Sequence, residues 1–411
     1  MTGSVSPLVP DRGFPPGAER LDDAGVAAAG WRIHDDFETP FATLDLDRVR
    51  HNAAVMRRWV AAHDVELWPH AKTAMSPELV ALQLHDGAVG MTAATAAQVR
   101  LLRAWGVERV LLANQLVQSS AATWIARDLR EHPGALFWSF VDSAAGIHRL
   151  QAIAQAEGIV WEVLVEAGAL GGRTGVRDAD GLAEVVAALG ECDRVRAIGV
   201  AVYEGAFAGD RAPASLEVVD RVIEEAAQML GSLVAAGAVA ADGAVFSGGG
   251  SMFFDRVTAA AGALPTGTRT VIRAGCTLLH DHGLYARSAP LTGADALEPA
   301  LAVWGTVHSR PEPTRAYLDV GRRDISYDQG LPVVVGRWRR GLGETEAGRP
   351  IRVIALNDHH AHLELDADDD LAVGDRLELG VSHPCTTMDR WRRLPLVDAH
   401  GLVVGAIGTA F

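Results

Sequence analysis

Val65-Glu66-Leu67-Trp68-Pro69-His70-Ala71-Lys72-Thr73 is a short, largely apolar run that stops at Pro-His and then presents one lysine. Ser76-Pro77-Glu78 follows and reads as a helix start, because serine caps a helix and proline fits its first turn. The unit is therefore a strand, Lys72 at the strand's C-terminal end, and a helix. In parallel α/β architectures that edge is where chemistry is placed.

Working outward, the same cycle recurs. Apolar runs at 65–70, 88–93, 109–113, 135–141, 159–165, 195–202, 243–247 and 269–273 read as strands. Helical periods lie between them at 76–86, 94–105, 119–131, 143–156, 178–189, 212–237 and 251–260, with a further helix over 47–62 in front. Continuous apolar runs are the mark of strands buried on both faces. Eight such units over roughly 200–250 residues predict a (β/α)8 barrel, with an open doubly wound sheet as the competing architecture.

The rhythm breaks near residue 285. Short runs at 300–307, 314–320, 332–338, 351–356, 361–365, 375–380, 395–398 and 402–407 follow. Gly, Pro and acidic turns separate them, including 343–348 and 366–370, which predicts a second, mostly β domain. The division is then an N-terminal arm over 1–36, a barrel over 37–285 and a β domain over 286–411. The arm reads as loosely packed with one short helix at most, and the strand-like stretch 41–46 could join either domain.

A chain of 411 residues favours two domains, and 49% hydrophobic with 22% charged residues is the composition of a soluble globular protein. A net charge of −15 disfavours nucleic acid and anionic membranes as general partners, but local charge still governs a small pocket. Three scattered cysteines, Cys192, Cys276 and Cys385, argue for a reducing compartment. The N-terminus lacks a signal-peptide layout, and no apolar run approaches the ~18 residues of a membrane span. The expectation is a cytoplasmic, soluble protein.

Several residues could carry chemistry. A lysine desolvated at a strand end has a depressed pKa, and its neutral amine can form a Schiff base with a carbonyl. His70 shares the Lys72 face if the strand continues, and could stack on or hydrogen-bond a ligand. Ser247-Gly248-Gly249-Gly250-Ser251 follows the seventh barrel strand, where consecutive glycine N–H groups can converge on a phosphate. Arg273-Ala274-Gly275-Cys276 ends the eighth strand and would complete the cradle. Arg173 offers a planar cation in the Gly-rich loop after strand five, and Tyr203-Glu204-Gly205 holds the equivalent place after strand six.

His383-Pro384-Cys385 puts an imidazole and a thiolate two residues apart, facing the same way on an extended segment, a donor pair that suits zinc. Further ligands would come from water, substrate or the 357–362 segment, which carries His360 and His362. G-x-S-x-G, H-E-x-x-H and G-x-x-x-x-G-K-[ST] are absent, which lowers the serine hydrolase, zincin and P-loop readings.

T-P-F-A-T-L-D-L-D (39–47), P-H-A-K-T (69–73) with S-P-E-L-V-A-L-Q-L (76–84), and V-L-L-A-N-Q (110–115) resemble the D-serine dehydratase and D-threonine aldolase family. These are fold-type III pyridoxal-phosphate enzymes, related in fold to alanine racemase. Y-E-G (203–205), S-G-G-G-S (247–251), D-Q-G-L-P (328–332) and H-x-C (383–385) extend the resemblance over nearly the whole chain from about residue 35.

The resemblance implies a barrel that holds pyridoxal 5'-phosphate as a Schiff base on Lys72. The 247–251 loop and the Gly275-Cys276 backbone would bind its phosphate, and Arg173 and Tyr203 would line it. The β domain would contribute the rest of the site across a homodimer interface. His383 and Cys385 would hold a divalent metal, zinc, near the substrate's β-hydroxyl, with His360 as a candidate for binding or proton transfer there. The implied reaction is β-elimination on a D-3-hydroxy amino acid such as D-serine or D-threonine, giving a 2-oxo acid and ammonia. Retro-aldol cleavage to glycine and an aldehyde competes with it, and a non-catalytic pyridoxal-phosphate-binding protein is a third reading.

Two departures bear on the substrate. Arg273-Ala274-Gly275-Cys276-Thr277 stands where the family commonly reads Arg-Pro-Gly-(Thr/Asn)-Tyr. Asn357-Asp358-His359-His360-Ala361-His362 stands where it often reads Ser-Glu-Glu-His-Gly-His.

Overall fold

The computed structural model describes residues 11–345 and 350–411, so the first ten residues of the arm and 346–348 of the 343–348 turn lie outside the described residues. After β1 (Phe41–Asp45) the chain runs through β2 (Glu66–Leu67), β3 (Met91–Ala93), β4 (Arg109–Gln115) and β5 (Leu136–Val141). It continues through β6 (Trp161–Ala167), β7 (Val195–Val202), β8 (Val245–Gly248) and β9 (Arg269–Ile272).

Residues 56–72 and 80–275 form one compact unit. Its sheet is parallel, in the order β2-β9-β8-β7-β6-β5-β4-β3. The two ends of that order meet: Val89 N–H donates to the Leu67 carbonyl, Thr92 N–H to the Pro69 carbonyl, each at 2.9 Å, and His70 bridges Thr92 in parallel. The sheet is therefore a closed (β/α)8 barrel and not the open doubly wound alternative.

The helices between the strands fall where the periodicity puts them, including Ser119–Glu131, Ala144–Glu157 and Ala179–Gly190. Their starts are chemical. Thr95, Ser143 and Asp178 accept from the N–H three residues on, and Pro213 opens the long helix Pro213–Ala235. The helix expected over 251–260 is shorter, Phe254–Ala260.

Apolar strand residues fill the barrel. Trp68, Leu111, Trp138, Phe140, Leu164, Ala201, Val245 and Val271 form one buried cluster, with the Trp68 and Trp138 rings stacked at 4.6 Å. Each indole N–H finds a carboxylate, Glu66 at 2.9 Å and Glu162 at 3.0 Å, so large aromatic area is buried without an orphaned donor. Gly199 has to be glycine, because a Cβ there would stand 1.8 Å from the Val245 carbonyl oxygen of the neighbouring strand.

Among the described residues the second unit comprises 11–55, 73–79, 276–345 and 350–411. Its further strands are β10 (Leu301–Glu312), β11 (Arg315–Leu318), β12 (Val333–Arg339), β13 (Gly343–Thr345) and β14 (Arg352–Leu356). They are followed by β15 (Ala361–Glu364), β16 (Arg376–Gly380), β17 (Arg393–Val397) and β18 (Val403–Gly408). The main path is β13-β12-β16-β10-β1-β17-β18, with β11, β15 and β14 continuing from β10.

The stretch at 41–46 is thereby placed: β1 pairs antiparallel with β10 and parallel with β17, inside the β sheet. The arm is also better packed than its composition suggests. Phe14, Ala18, Val26 and Ile33 of the arm are buried with Phe37, Phe41, Trp304, Val397, Val403 and Ala406. Scattered apolar residues without a period suffice when each meets a preformed sheet. Where sequence gives only a turn after residue 343, Gly343–Thr345 pairs with β12 as a strand. Among the described residues no helix is long and apolar enough to cross a membrane.

Candidate active site

Pro69 cannot donate to a ladder, and β2 ends two residues before it. The chain then turns through the one-turn helix Ala71–Thr73, which presents Lys72 outward. Lys72 is exposed, so the expectation of a lysine desolvated at a buried strand end is corrected: the turn after Pro69 takes its side chain away from the barrel packing. His70 keeps strand-type pairing, bridging Thr92 and donating its N–H to the Arg273 carbonyl at 3.3 Å. The strand does not run on to residue 72, however, so period-2 alternation does not set the Lys72 direction.

Lys72 instead lines a cavity of about 280 Å³ with His70, Asn114, Arg173, Tyr203, Gly250 and Arg273. Its lining contains three cations and no carboxylate, so the field in it favours an anion. Lys72 is also the only lysine of the chain, against 36 arginines.

The cations are fixed from different sides. The Arg173 guanidinium lies 4.5 Å from the centre of the Tyr203 ring. Arg273 is buried and donates to Ser247 Oγ at 2.6 Å and to the Val202 carbonyl at 2.7 Å. Burial, then the charges of Lys72, Arg273 and Arg173, hold the His70 imidazole well below its ordinary pKa, so the ring is neutral. Its Nδ1 is buried without a protein partner.

The glycine loop differs from the expectation. Gly249 N–H and Gly250 N–H donate to the two oxygens of the buried Glu204 carboxylate at 3.2 and 2.6 Å. These donors therefore hold an anion supplied by the chain itself, delivered by the one-turn helix Glu204–Ala206. Ser247 is committed to Arg273, and the Gly248 carbonyl accepts from Arg273 N–H. Gly275 is a close-approach position: a Cβ there would lie 2.5 Å from the His70 carbonyl oxygen.

In the other unit, Cys276 and Cys385 bring their sulfurs to 3.4 Å. Thr73 Oγ1 lies 3.5 Å from the Cys276 sulfur and accepts from the Cys385 thiol at 3.4 Å. The Cys385 contact pulls the Cys276 thiol down to about 6, helped by Thr73 and Tyr285 and opposed by burial. His383 Nδ1 pairs with Asp328 Oδ2 at 2.7 Å. The segment is not extended as expected, because Cys385 opens a one-turn helix, Cys385–Met388.

His360 stands exposed in the turn between β14 and β15 and takes no part in the hydrogen bonds of the thiol pair. His362 Nε2 pairs with Asn357 Oδ1 at 2.6 Å. Among the described residues no three His, Cys, Asp or Glu side chains are gathered as a metal cage.

The family model of the alanine racemase N-terminal domain matches residues 44–251, just over half of the chain. The chain belongs to that family. A second model, described as a putative serine dehydratase domain, matches residues 300–397. The chain is 28% identical to a D-threonine aldolase of Arthrobacter sp. over 326 residues, 79% of each chain. It is also 28% identical to a D-threo-3-hydroxyaspartate dehydratase of Delftia sp. (strain HT23) over 390 residues, 89% of this chain and 96% of that one. The crystal structure of a D-threonine aldolase from Filomicrobium marinum superposes with a TM-score of 0.78 at 25% identity, covering 92% of this chain and 96% of the other. The resemblance to fold-type III pyridoxal-phosphate enzymes therefore holds.

The residues of the barrel cavity fit pyridoxal phosphate. One primary amine, two fixed guanidiniums and an unpartnered imidazole nitrogen surround a space without a carboxylate. His383 and Cys385 supply an imidazole and a thiol, donor types that a thiophilic divalent metal takes, without a third His, Cys, Asp or Glu gathered beside them among the described residues. Glu204 and Asp328 went unassigned in the sequence. Each sits inside a quoted motif, Y-E-G and D-Q-G-L-P, and an acid embedded in glycine-rich text was the available signal. The signal for Lys72 was stronger than its local context: a chain that uses arginine everywhere else keeps one lysine.

Proposed function

We propose that this protein is a pyridoxal-phosphate- and zinc-dependent lyase that eliminates the β-hydroxyl of D-3-hydroxy amino acids, such as D-serine or D-threonine, to give a 2-oxo acid and ammonia. One observation carries the cofactor reading: the chain's only lysine lines a cavity walled by Arg173 and Arg273 and free of carboxylates. A guanidinium stays protonated at all working pH values and cannot act as an amine nucleophile, so the chemistry falls to Lys72.

Pyridoxal phosphate, when bound, supplies a carbonyl for an amine and an electron sink for charge developing at Cα. Lys72 Nζ would attach the cofactor and, as a free amine, would take the proton from the substrate's Cα. Arg173, held over Tyr203, and Arg273, locked to Ser247, supply positive potential for a phosphate. With Gly249 and Gly250 committed to Glu204, the phosphate role in the loop narrows to Ser251, alongside the Gly275 backbone. His70, held neutral, offers a hydrogen bond or a ring face without adding charge.

His383 and Cys385 would hold a divalent metal that, when bound, makes the β-hydroxyl a better leaving group. The Asp328 contact at His383 Nδ1 leaves Nε2 as the ligand nitrogen. Thiolate donors support zinc over manganese or magnesium. The aldolase names of several relatives support a second reading, retro-aldol cleavage of the same substrates to glycine and an aldehyde.

Incubation with D-serine, D-threonine and D-3-hydroxyaspartate, with and without chelator, tests the reading. Ammonia with 2-oxo acid, abolished by chelator and by His383→Ala, is the expected result. Glycine with aldehyde would replace elimination by the retro-aldol reading, and full activity of His383→Ala in chelator would remove the metal from the mechanism.

A further inference from the structure

The Cys276 side chain has no part in the reading above. It is buried, and its sulfur lies 3.4 Å from the sulfur of Cys385. Cys385 is only partly buried, so one thiol of the pair meets solvent and the other stands behind it. Thr73 Oγ1 touches both sulfurs, at 3.5 Å to Cys276 and 3.4 Å to Cys385, and holds them from a third side.

Sulfurs in contact at 3.4 Å need to close by only about 1.4 Å to reach the roughly 2.05 Å of a disulfide bond. The fold brings them together from positions 109 apart in sequence, so the second thiol needs no search to find the first. An accessible thiol backed by a buried one is the arrangement in which oxidation of the first is resolved by the second before it goes further.

We propose that Cys276 and Cys385 are a redox-active dithiol, oxidised reversibly to an intramolecular disulfide by hydrogen peroxide. Cys385, the accessible thiol, gives an electron pair to one peroxide oxygen. The O–O bond breaks, water leaves, and a sulfenic acid remains on Cys385. The Cys276 sulfur then attacks the Cys385 sulfur, the S–O bond breaks, and a second water leaves with the Cys276 proton. Two thiols and one peroxide thus become one disulfide and two waters, with two electrons passing from sulfur to oxygen. A dithiol reductant returns both thiols by exchange.

The thiolate, not a disulfide sulfur, is the metal ligand. Oxidation therefore removes Cys385 from the metal pair, a consequence that rests on the metal-assisted reading, while the cross-link itself does not. Cys192 is the internal comparison. Burial, then Glu191 and Asp193, hold its thiol above the ordinary range, which makes it the slower nucleophile.

The test uses the full-length protein, reduced, freed of metal with chelator and treated with equimolar hydrogen peroxide, either folded or in guanidinium chloride. Non-reducing digestion with mass spectrometry locates any cross-link, and free thiols are counted before and after dithiothreitol. The folded parent is expected to fall from three free thiols to one, with the Cys276 and Cys385 peptides joined and two hydrogens lighter, and to recover all three on reduction. Cys192→Ser is expected to keep the cross-link. Cys276→Ser is expected to lose it and leave a sulfenic acid on Cys385 that dimedone captures. The unfolded parent is expected to give mixed pairings.

Three thiols retained by the folded parent, sulfinic or sulfonic acids without the cross-link, or mixed pairings in the folded chain each overturn the proposal. A cross-linked parent that binds zinc as tightly as the reduced one supports the dithiol and removes Cys385 from the metal reading. Zinc binding lost on cross-linking and restored by dithiothreitol supports both. The parent map and Cys192→Ser decide the matter should Cys276→Ser not fold.

Discussion

The buried Glu204 carboxylate accepts the Gly250 N–H at 2.6 Å and, with its second oxygen, the Gly249 N–H at 3.2 Å. The glycine loop after β8 thus meets its first anion within the chain. This fixes the loop's shape before any ligand arrives, and preorganisation of that kind lowers the ordering cost of binding.

Glu204→Ala should leave the buried Gly249 N–H unpaired, with the Gly250 N–H turned to the cavity, and cost about 1–3 kcal/mol of stability. Glu204→Gln keeps one acceptor oxygen and should cost less than half as much. Denaturant unfolding followed by tryptophan fluorescence measures both. An alanine variant as stable as the parent would show that the clasp does not organise the loop.

Gly275→Ala should destabilise the barrel end by about 1–3 kcal/mol, because the added methyl meets the His70 carbonyl oxygen at 2.5 Å and backbone cannot yield as a side chain can. Gly262→Ala is the control, with nothing within 4 Å of the added atom. A pyridoxal-phosphate titration should show weakened binding in the first variant and parental binding in the second.

Asp281 gives a pH signature. Its Oδ1 accepts from Gly283, Tyr285 and Ala286 N–H, while Oδ2 is buried without a partner. Burial pushes its pKa up to about 7, against the pull of those N–H groups. Between about pH 4 and 7 the folded acid keeps a proton that the unfolded chain has released, so parent stability falls as pH rises through that window. Asp281→Asn cannot ionise. Its stability relative to the parent should climb from pH 4 to pH 7 by roughly 4 kcal/mol at most and then level off. A flat difference across that range would contradict the raised pKa.

Asp328→Asn should weaken zinc binding about 10–100-fold by loosening the His383 ring, with little change in the unfolding of the metal-free chain. Competition against a chromophoric chelator measures it, and unchanged affinity would show that Asp328 does not orient the ligand.

The barrel was legible because its strands are continuous apolar runs and its helices begin at Thr95, Ser143 and Asp178, which announce themselves chemically. Closure was not, since it depends on Leu67 and Pro69 accepting from Val89 and Thr92, a pairing that no local pattern encodes. Lys72 could be picked out, but its exposure could not, because that follows from a single turn after Pro69. The glycine loop was placed correctly after the seventh barrel strand. What occupies its N–H groups depends on Glu204, 45 residues away in sequence. Cys276 and Cys385 are 109 residues apart, and no spacing rule joins them.

The central claim is that Lys72 carries pyridoxal phosphate, and the chain's composition makes it directly testable. The full-length protein is incubated with pyridoxal phosphate, reduced with borohydride, digested, and mapped by mass spectrometry. The account predicts one stoichiometric pyridoxyl adduct, on the peptide containing Lys72, and none on that peptide in Lys72→Ala. With no other lysine in the chain, absence of an adduct on that peptide, or label confined to the N-terminal amine, would contradict it.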